Sequence, residues 1–306
     1  MPITDGLSSS KSFVISSIVA FISAILSATA AIFEKKSLIK LDALEFTFFV
    51  SFTGLIFSLP FGLDISLSSI STTGFIVLFL KTILNALSFY FVMKALKNLD
   101  ISNSLPLMEL TPGFVAVLGI FFLNEIPSFF QILGILLLIA GTYIINLKKG
   151  SKVLDPIIIF IKSKGHNYIL VALILFTITS ILDKVIVVKL NVSPEHFIFF
   201  YHLLSFLIFL FIILFTGNNK KNNIFKNISK DLLLLIIAVG LLSVFYRYTQ
   251  ILAIKQGHVA LVLAIKRTSV FFACVIGGTI FKEETLFQRI FATILLIAGG
   301  MLIILL

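Results

Sequence analysis

Lys266 and Arg267 stand side by side in Val259–Phe281, a segment that is otherwise almost wholly apolar. Eight to nine residues into a helix is a depth of about 12 Å at 1.5 Å per residue. Neighbouring helical positions point about 100° apart, so reaching lipid head groups would need two separate escape routes. The alternative is that the pair faces a polar cavity, a partner carboxylate or an anionic solute. Two more deep cations fall on polar faces at helical spacing. Lys81, Asn85 and Ser88 are spaced i, i+4, i+7, and so are Ser243, Arg247 and Gln250. Tyr246 and Tyr248 flank Arg247 and serve equally well as solute contacts or as packing aromatics with a bonded hydroxyl. Lys94 and Arg289 lie near enough to span ends to snorkel.

Against these cations stands one comparably deep acid, Glu109, beside Pro106, Thr111 and Pro112. The two prolines remove backbone donors, which frees carbonyls to line a cavity or simply kinks the helix. Glu109 either forms a packing ion pair with Arg267 or acts as a gating or proton-coupling carboxylate. His202, next to Tyr201, is a proton carrier or a structural histidine. Substrate contacts are therefore expected at Lys266, Arg267, Arg247, Lys81, Asn85, Tyr246, Tyr248 and Gln250. Coupling or gating is expected at Glu109, Pro106, Thr111 and His202. No metal-ligand spacing, nucleophile elbow or phosphate-cradling glycine loop occurs, so neither an enzyme nor a bound cofactor is expected.

The elements that must carry these residues are membrane helices. The chain is 59% hydrophobic with a mean hydropathy of +1.14, and only 12% of it is charged. Apolar runs of about 20 residues, the length that crosses a hydrocarbon core, recur throughout. Ten spans are expected: 13–33, 43–63, 73–96, 101–123, 128–147, 168–190, 195–216, 232–254, 259–281 and 285–306. The first reads as a retained helix, because no small-residue cleavage site follows it. Glu34 and Asp183, each next to a lysine near a span end, read as interfacial pairs. The lone Cys274 excludes an internal disulfide, and the net charge of +10 sits in short loops, which is not a nucleic-acid footprint.

The chain repeats itself. A shift of 158 residues aligns 95–147 with 253–305 without a gap, pairing Lys97 with Lys255, Gly119 with Gly277 and Glu125 with Glu283. A shift of 149 pairs Glu34-Lys35 with Asp183-Lys184. Arg267 is thus the counterpart of Glu109, Ser243 of Asn85 and Tyr246 of Ser88. The expected units are residues 1–147 and 168–306, joined by a basic linker, 148–167. Five spans is an odd number, so the second unit enters the membrane inverted, a construction principle of secondary transporters. The fold class is all-α and polytopic: ten helices in two inverted five-helix repeats.

Each half resembles the five-helix repeat of the EamA family in the drug/metabolite transporter superfamily. The resemblance is carried most specifically by Leu123-Asn124-Glu125 and Phe281-Lys282-Glu283 at the turns between the fourth and fifth helices, and by the glycine-containing fifth helices. It implies a ten-helix carrier of small metabolites around a central cavity, with substrates ranging from amino acids to nucleosides and drugs. The Lys266-Arg267 pair is also similar to the phosphate-binding pair of sugar-phosphate translocators, a distant branch of that superfamily.

The expected activity is alternating-access transport of a small anionic or zwitterionic solute, since the deep positive charge outnumbers the deep acid. Proton or counter-substrate coupling would accompany it. The alternatives are an exporter of neutral or amphiphilic compounds, whose cations are locked in structural pairs, and a lipid-binding scaffold. The expected location is the cell membrane. Fourteen loop lysines lie on one side and four on the side of the termini, which favours both termini outside the cytoplasm, whereas the resemblance implies both inside, so orientation stays open.

Overall fold

The structure is a computed structural model and describes residues 3–63, 70–111, 128–147, 152, 154, 158, 162–215, 228–256 and 259–305. A helix stands at each expected span: α1 (Ile3–Leu38), α2 (Ala43–Ser58), α3 (Thr72–Asn98), α4 (Ile101–Leu107), α5 (Phe129–Ile145), α6 (Lys164–Lys184), α7 (Pro194–Phe215), α8 (Lys230–Gln256), α9 (Val259–Phe272) and α10 (Leu286–Leu305). Among the described residues seven of them are long and apolar enough to cross a bilayer, and α5 is a shorter apolar helix. The protein is an all-α, multi-pass membrane protein.

Local chemistry sets the helix ends. Ser71 accepts a hydrogen bond from the Gly74 amide at 3.1 Å and opens α3. Ser128 and Gln131 form a reciprocal capping box that opens α5. The first helix begins about ten residues before its apolar run, because the polar lead-in contains no proline beyond position 2 to stop it. Two spans that look uniform in sequence change pitch. α6 passes into a π segment, Val185–Lys189, and α9 into another, Ala273–Gly277, before a last turn at Gly278–Ile280. α4 tightens to a 3-10 segment, Met108–Leu110, just after Pro106, whose missing N–H breaks the helical ladder.

The helices pack with a pseudo-two-fold pattern. A Cβ added to Gly134 of α5 would lie 2.7 Å from the Gly299 carbonyl oxygen of α10, and one on Gly141 would lie 3.0 Å from that of Ala292. Gly134 and Ala292 are related by the 158-residue shift, and so are Gly141 and Gly299. Exchanging the halves therefore exchanges the two contacts. The start of α5 meets the end of α10, so the pair runs antiparallel, as an inverted repeat requires. Close approach through small residues is the usual packing device where lipid offers no hydrophobic drive. In the same way α3 lies antiparallel to α6: Lys81 reaches Asp183, Ser88 donates to the Ala172 carbonyl at 3.0 Å, and Phe91 stacks on Tyr168. Its counterpart is α8 against α1, where the Ser23 hydroxyl donates to the Tyr246 carbonyl at 2.7 Å. α2 and α7 meet across the middle, with Gly54 against the His202 ring. The main apolar core, around Phe46, Leu96, Ile101 and Val239, ties α1, α2, α3, α4 and α8 together.

Candidate functional site

Two cavities meet at Phe89 and Tyr246, which line both. The smaller, about 30 Å³, is polar and lies among α2, α3, α7 and α8, with Ser51, Tyr201, His202, Ser205, Ser243 and Arg247 in its wall. That is room for water or one small polar group. The larger, about 210 Å³, lies among α1, α3, α4, α6, α8 and α9 and is walled mainly by apolar side chains, including Ala31, Met93 and Phe176. Its polar members are Ser27, Glu34, Tyr246 and Ser269.

Arg247 is held by neutral groups. One guanidinium nitrogen donates to the Asn85 side-chain oxygen at 3.3 Å, and the group lies over the Tyr201 ring at 4.4 Å. Tyr201 in turn donates its hydroxyl to the same Asn85 oxygen at 2.6 Å. Among the described residues no ion pair within 4 Å includes Arg247, although the Asp183 carboxylate that pairs with Lys81 is near enough to act on its charge. His202 lies edge-on to Tyr201, and its buried Nε2 has no hydrogen-bond partner among the described residues.

The other deep cations are spoken for. Lys81 is fully buried, and its ammonium sits 2.8 Å from Asp183 Oδ1 and 4.6 Å above both the Phe197 and Tyr201 rings. Neither atom meets hydrogen-bond geometry, so the Lys81–Asp183 contact is charge attraction without a well-directed bond. Arg267 pairs with Glu109 at 2.5 Å, joining the two counterpart positions across the pseudo-two-fold axis. Lys266 donates to the Gln250 side-chain oxygen at 2.7 Å and lies 4.6 Å over the Tyr246 ring. Neither Lys266 nor Arg267 lines either of these two cavities, and Lys81 does not either.

The remaining expected residues divide between the cavity and the scaffold. Asn85 and Tyr246 belong to the cavity region. Tyr248 does not: its hydroxyl donates to Glu195 at 3.0 Å and its ring packs on Phe61. Ser88 turns to α6. Thr111 bonds locally to the Met108 carbonyl at 2.7 Å, and Pro106 is buried at the α4 bend. Pro112 and the turn at 123–125 lie outside the described residues. Glu34 and Lys35 do not form the expected interfacial pair, and the side chain of Lys184, beside Asp183, lies outside the described residues. Asp183 belongs to Lys81, and Lys35 turns away to donate to the Leu96 and Leu99 carbonyls at 2.5 and 2.6 Å. Consecutive helical residues point in different directions, so adjacency in sequence separates these charges instead of pairing them.

Glu283, in the Phe281-Lys282-Glu283 turn, has a job that crosses the repeat. Its carboxylate accepts the Ile101 and Ser102 amides at 2.7 and 3.1 Å and the Ser102 hydroxyl, capping the start of α4. Arg289 steadies it at 3.5 Å while holding Asp100 at 2.8 Å. One half thus anchors the fourth helix of the other.

Comparison with known proteins agrees with this architecture. The sequence profile of the EamA-like transporter family matches residues 14–147 and 163–305. An uncharacterized transporter of Archaeoglobus fulgidus is 29% identical over 126 residues, which is 40% of this chain and 44% of that protein. A solved crystal structure superimposes with a TM-score of 0.62 over 95% of this chain and 96% of that one, at 15% identity, a likeness of fold alone. With both halves matched by one family profile, the chain belongs to the EamA-like transporter family and is a multi-pass membrane protein.

Proposed function

We propose that this protein carries a small anionic or zwitterionic metabolite by alternating access, and that Arg247 binds the solute's carboxylate or phosphate. The observation that carries this reading is the guanidinium in the cavity wall, held by an amide oxygen and a ring while Lys81 and Arg267 have acids of their own. A planar donor fork steadied by neutral groups keeps its charge available for an incoming anion. Positive charge in the site is therefore concentrated at Arg247, with Lys266 behind the Tyr246 ring, instead of being spread over four side chains. Lys81 serves to hold α3 to α6, and the Arg267–Glu109 pair on the pseudo-two-fold axis serves as a gate between the halves. His202, unpartnered beside Arg247, is a second polar contact for the solute.

The apolar wall of the larger cavity favours a second reading, an exporter of amphiphilic compounds, because it suits a hydrophobic body. A binding measurement with purified protein separates the two. With 3-phenylpropionate as probe, Arg247→Gln is expected to weaken binding by about tenfold or more, since a charge-assisted bidentate contact is lost. Unchanged affinity would remove Arg247 from the site and leave the amphiphile reading.

A further inference from the structure

The larger cavity contains a carboxylate that neither reading uses. Glu34, in the last turns of α1, is 7% exposed, lines that cavity and makes no hydrogen bond or ion pair to any described residue. The rest of the wall, from α3, α4, α6, α8 and α9, brings no charged side chain. Its neighbour Lys35 is committed to the backbone carbonyls that end α3.

The pseudo-symmetry shows what is missing. Asp183 is the counterpart of Glu34 under the 149-residue shift, and it has a buried ammonium, Lys81, at 2.8 Å. The counterpart of Lys81 under the 158-residue shift is Val239 on α8, fully buried in the core beside α1. The α3–α6 contact between the halves therefore has a complete acid–lysine pair. The counterpart α1–α8 contact has the acid, Glu34, but valine at the lysine's position, and the acid opens onto a cavity. An acid buried without its cation is costly, and a transport cavity is where a ligand can supply the missing charge.

The chemistry of that ligand follows from the wall. Phe89, Phe176 and Tyr246 surround the same space, and aromatic faces attract organic cations. We infer that Glu34 is a cation-recognition site that binds a protonated amine carried on an apolar body, taking the place of the absent lysine. This deepens the proposed function, on which it rests for a solute spanning the two adjoining cavities: a solute with its anion at Arg247 and its ammonium at Glu34 is zwitterionic. The Glu34 assignment itself uses none of the observations on Arg247.

The test uses the full chain in detergent and three matched probes: 2-phenylethylamine, 2-phenylethanol and 3-phenylpropionate. Wild-type protein is expected to bind the amine about tenfold or more tightly than the alcohol, as an ion contact beside aromatic faces should. Glu34→Gln should abolish that preference while leaving 3-phenylpropionate binding intact. Arg247→Gln should do the reverse. Equal wild-type affinity for amine and alcohol overturns the inference without any variant. An amine preference that survives Glu34→Gln also overturns it. Loss of the preference in Glu34→Gln, with 3-phenylpropionate binding indifferent to Arg247→Gln, keeps the Glu34 site and removes the anion reading.

Discussion

At the scale of single residues, the Glu109–Arg267 pair is the most exposed to a decisive experiment. Glu109 is 3% exposed, and each charge is the other's main compensation. Truncating either one leaves a buried charge unpaired, a loss of roughly 3–5 kcal/mol for such pairs. Glu109→Ala and Arg267→Ala should each lower thermal stability of the purified protein by that order. The double variant Glu109→Leu/Arg267→Leu should recover much of it, because two apolar side chains leave nothing unpaired. Transport then discriminates packing from gating. If the double variant is stable and still transports in vesicles, the pair only holds α4 to α9. If it is stable and inactive, the pair works as a gate. Arg247 and Glu34 belong to this scale too, but they are distinguished by lacking such a partner.

Among elements, the α5–α10 crossing leaves the least room for change. Gly134 and Gly299 each face the other's carbonyl oxygen, with a hypothetical Cβ at 2.7 and 2.6 Å. Backbone on both sides cannot rotate away as a side-chain tip could. Gly299→Val should therefore force the helices apart and destabilise the protein by at least the ~1–3 kcal/mol typical of overpacking. A wild-type melting temperature for that variant would refute the crossing. The cap on α4 is a second, milder case. Glu283→Ala removes the acceptor for the Ile101 and Ser102 amides, and losing a capping side chain costs about 0.5–2 kcal/mol. Because Glu283 sits in the second half and α4 in the first, this lost stability reports on the contact between halves.

For the whole molecule the governing feature is inversion. Lys97 ends α3, and Lys189 ends the π segment that follows α6. Inverted five-helix units put these exposed positions on opposite sides of the membrane. With the lone Cys274 replaced by alanine, cysteines at the two positions should react from opposite sides with a membrane-impermeant thiol reagent. The lysine distribution expects Lys189→Cys to label on intact cells and Lys97→Cys to stay protected. Labelling of both from one side would contradict the inverted design. The reverse pattern would turn the molecule over and leave the design intact.

The sequence alone determined the membrane helices, their order and the two related halves. Those properties follow from the length of apolar runs and from internal similarity, both of which are local or simply periodic. It also marked the depth at which charge concentrates, since a lysine or arginine inside an apolar run is visible without any neighbour. Only the tertiary structure decided which of those charges are free. Lys81 meets an acid 102 positions away and Arg267 one 158 positions away, while Lys35, beside Glu34 in the chain, points elsewhere. Pairing in a helix bundle depends on which helix faces come together, and a linear pattern does not encode that. The same dependence hid Glu34. Its isolation shows in a cavity wall contributed by other helices that bring no charge to it, so the residue became informative only once the two halves were seen packed against each other.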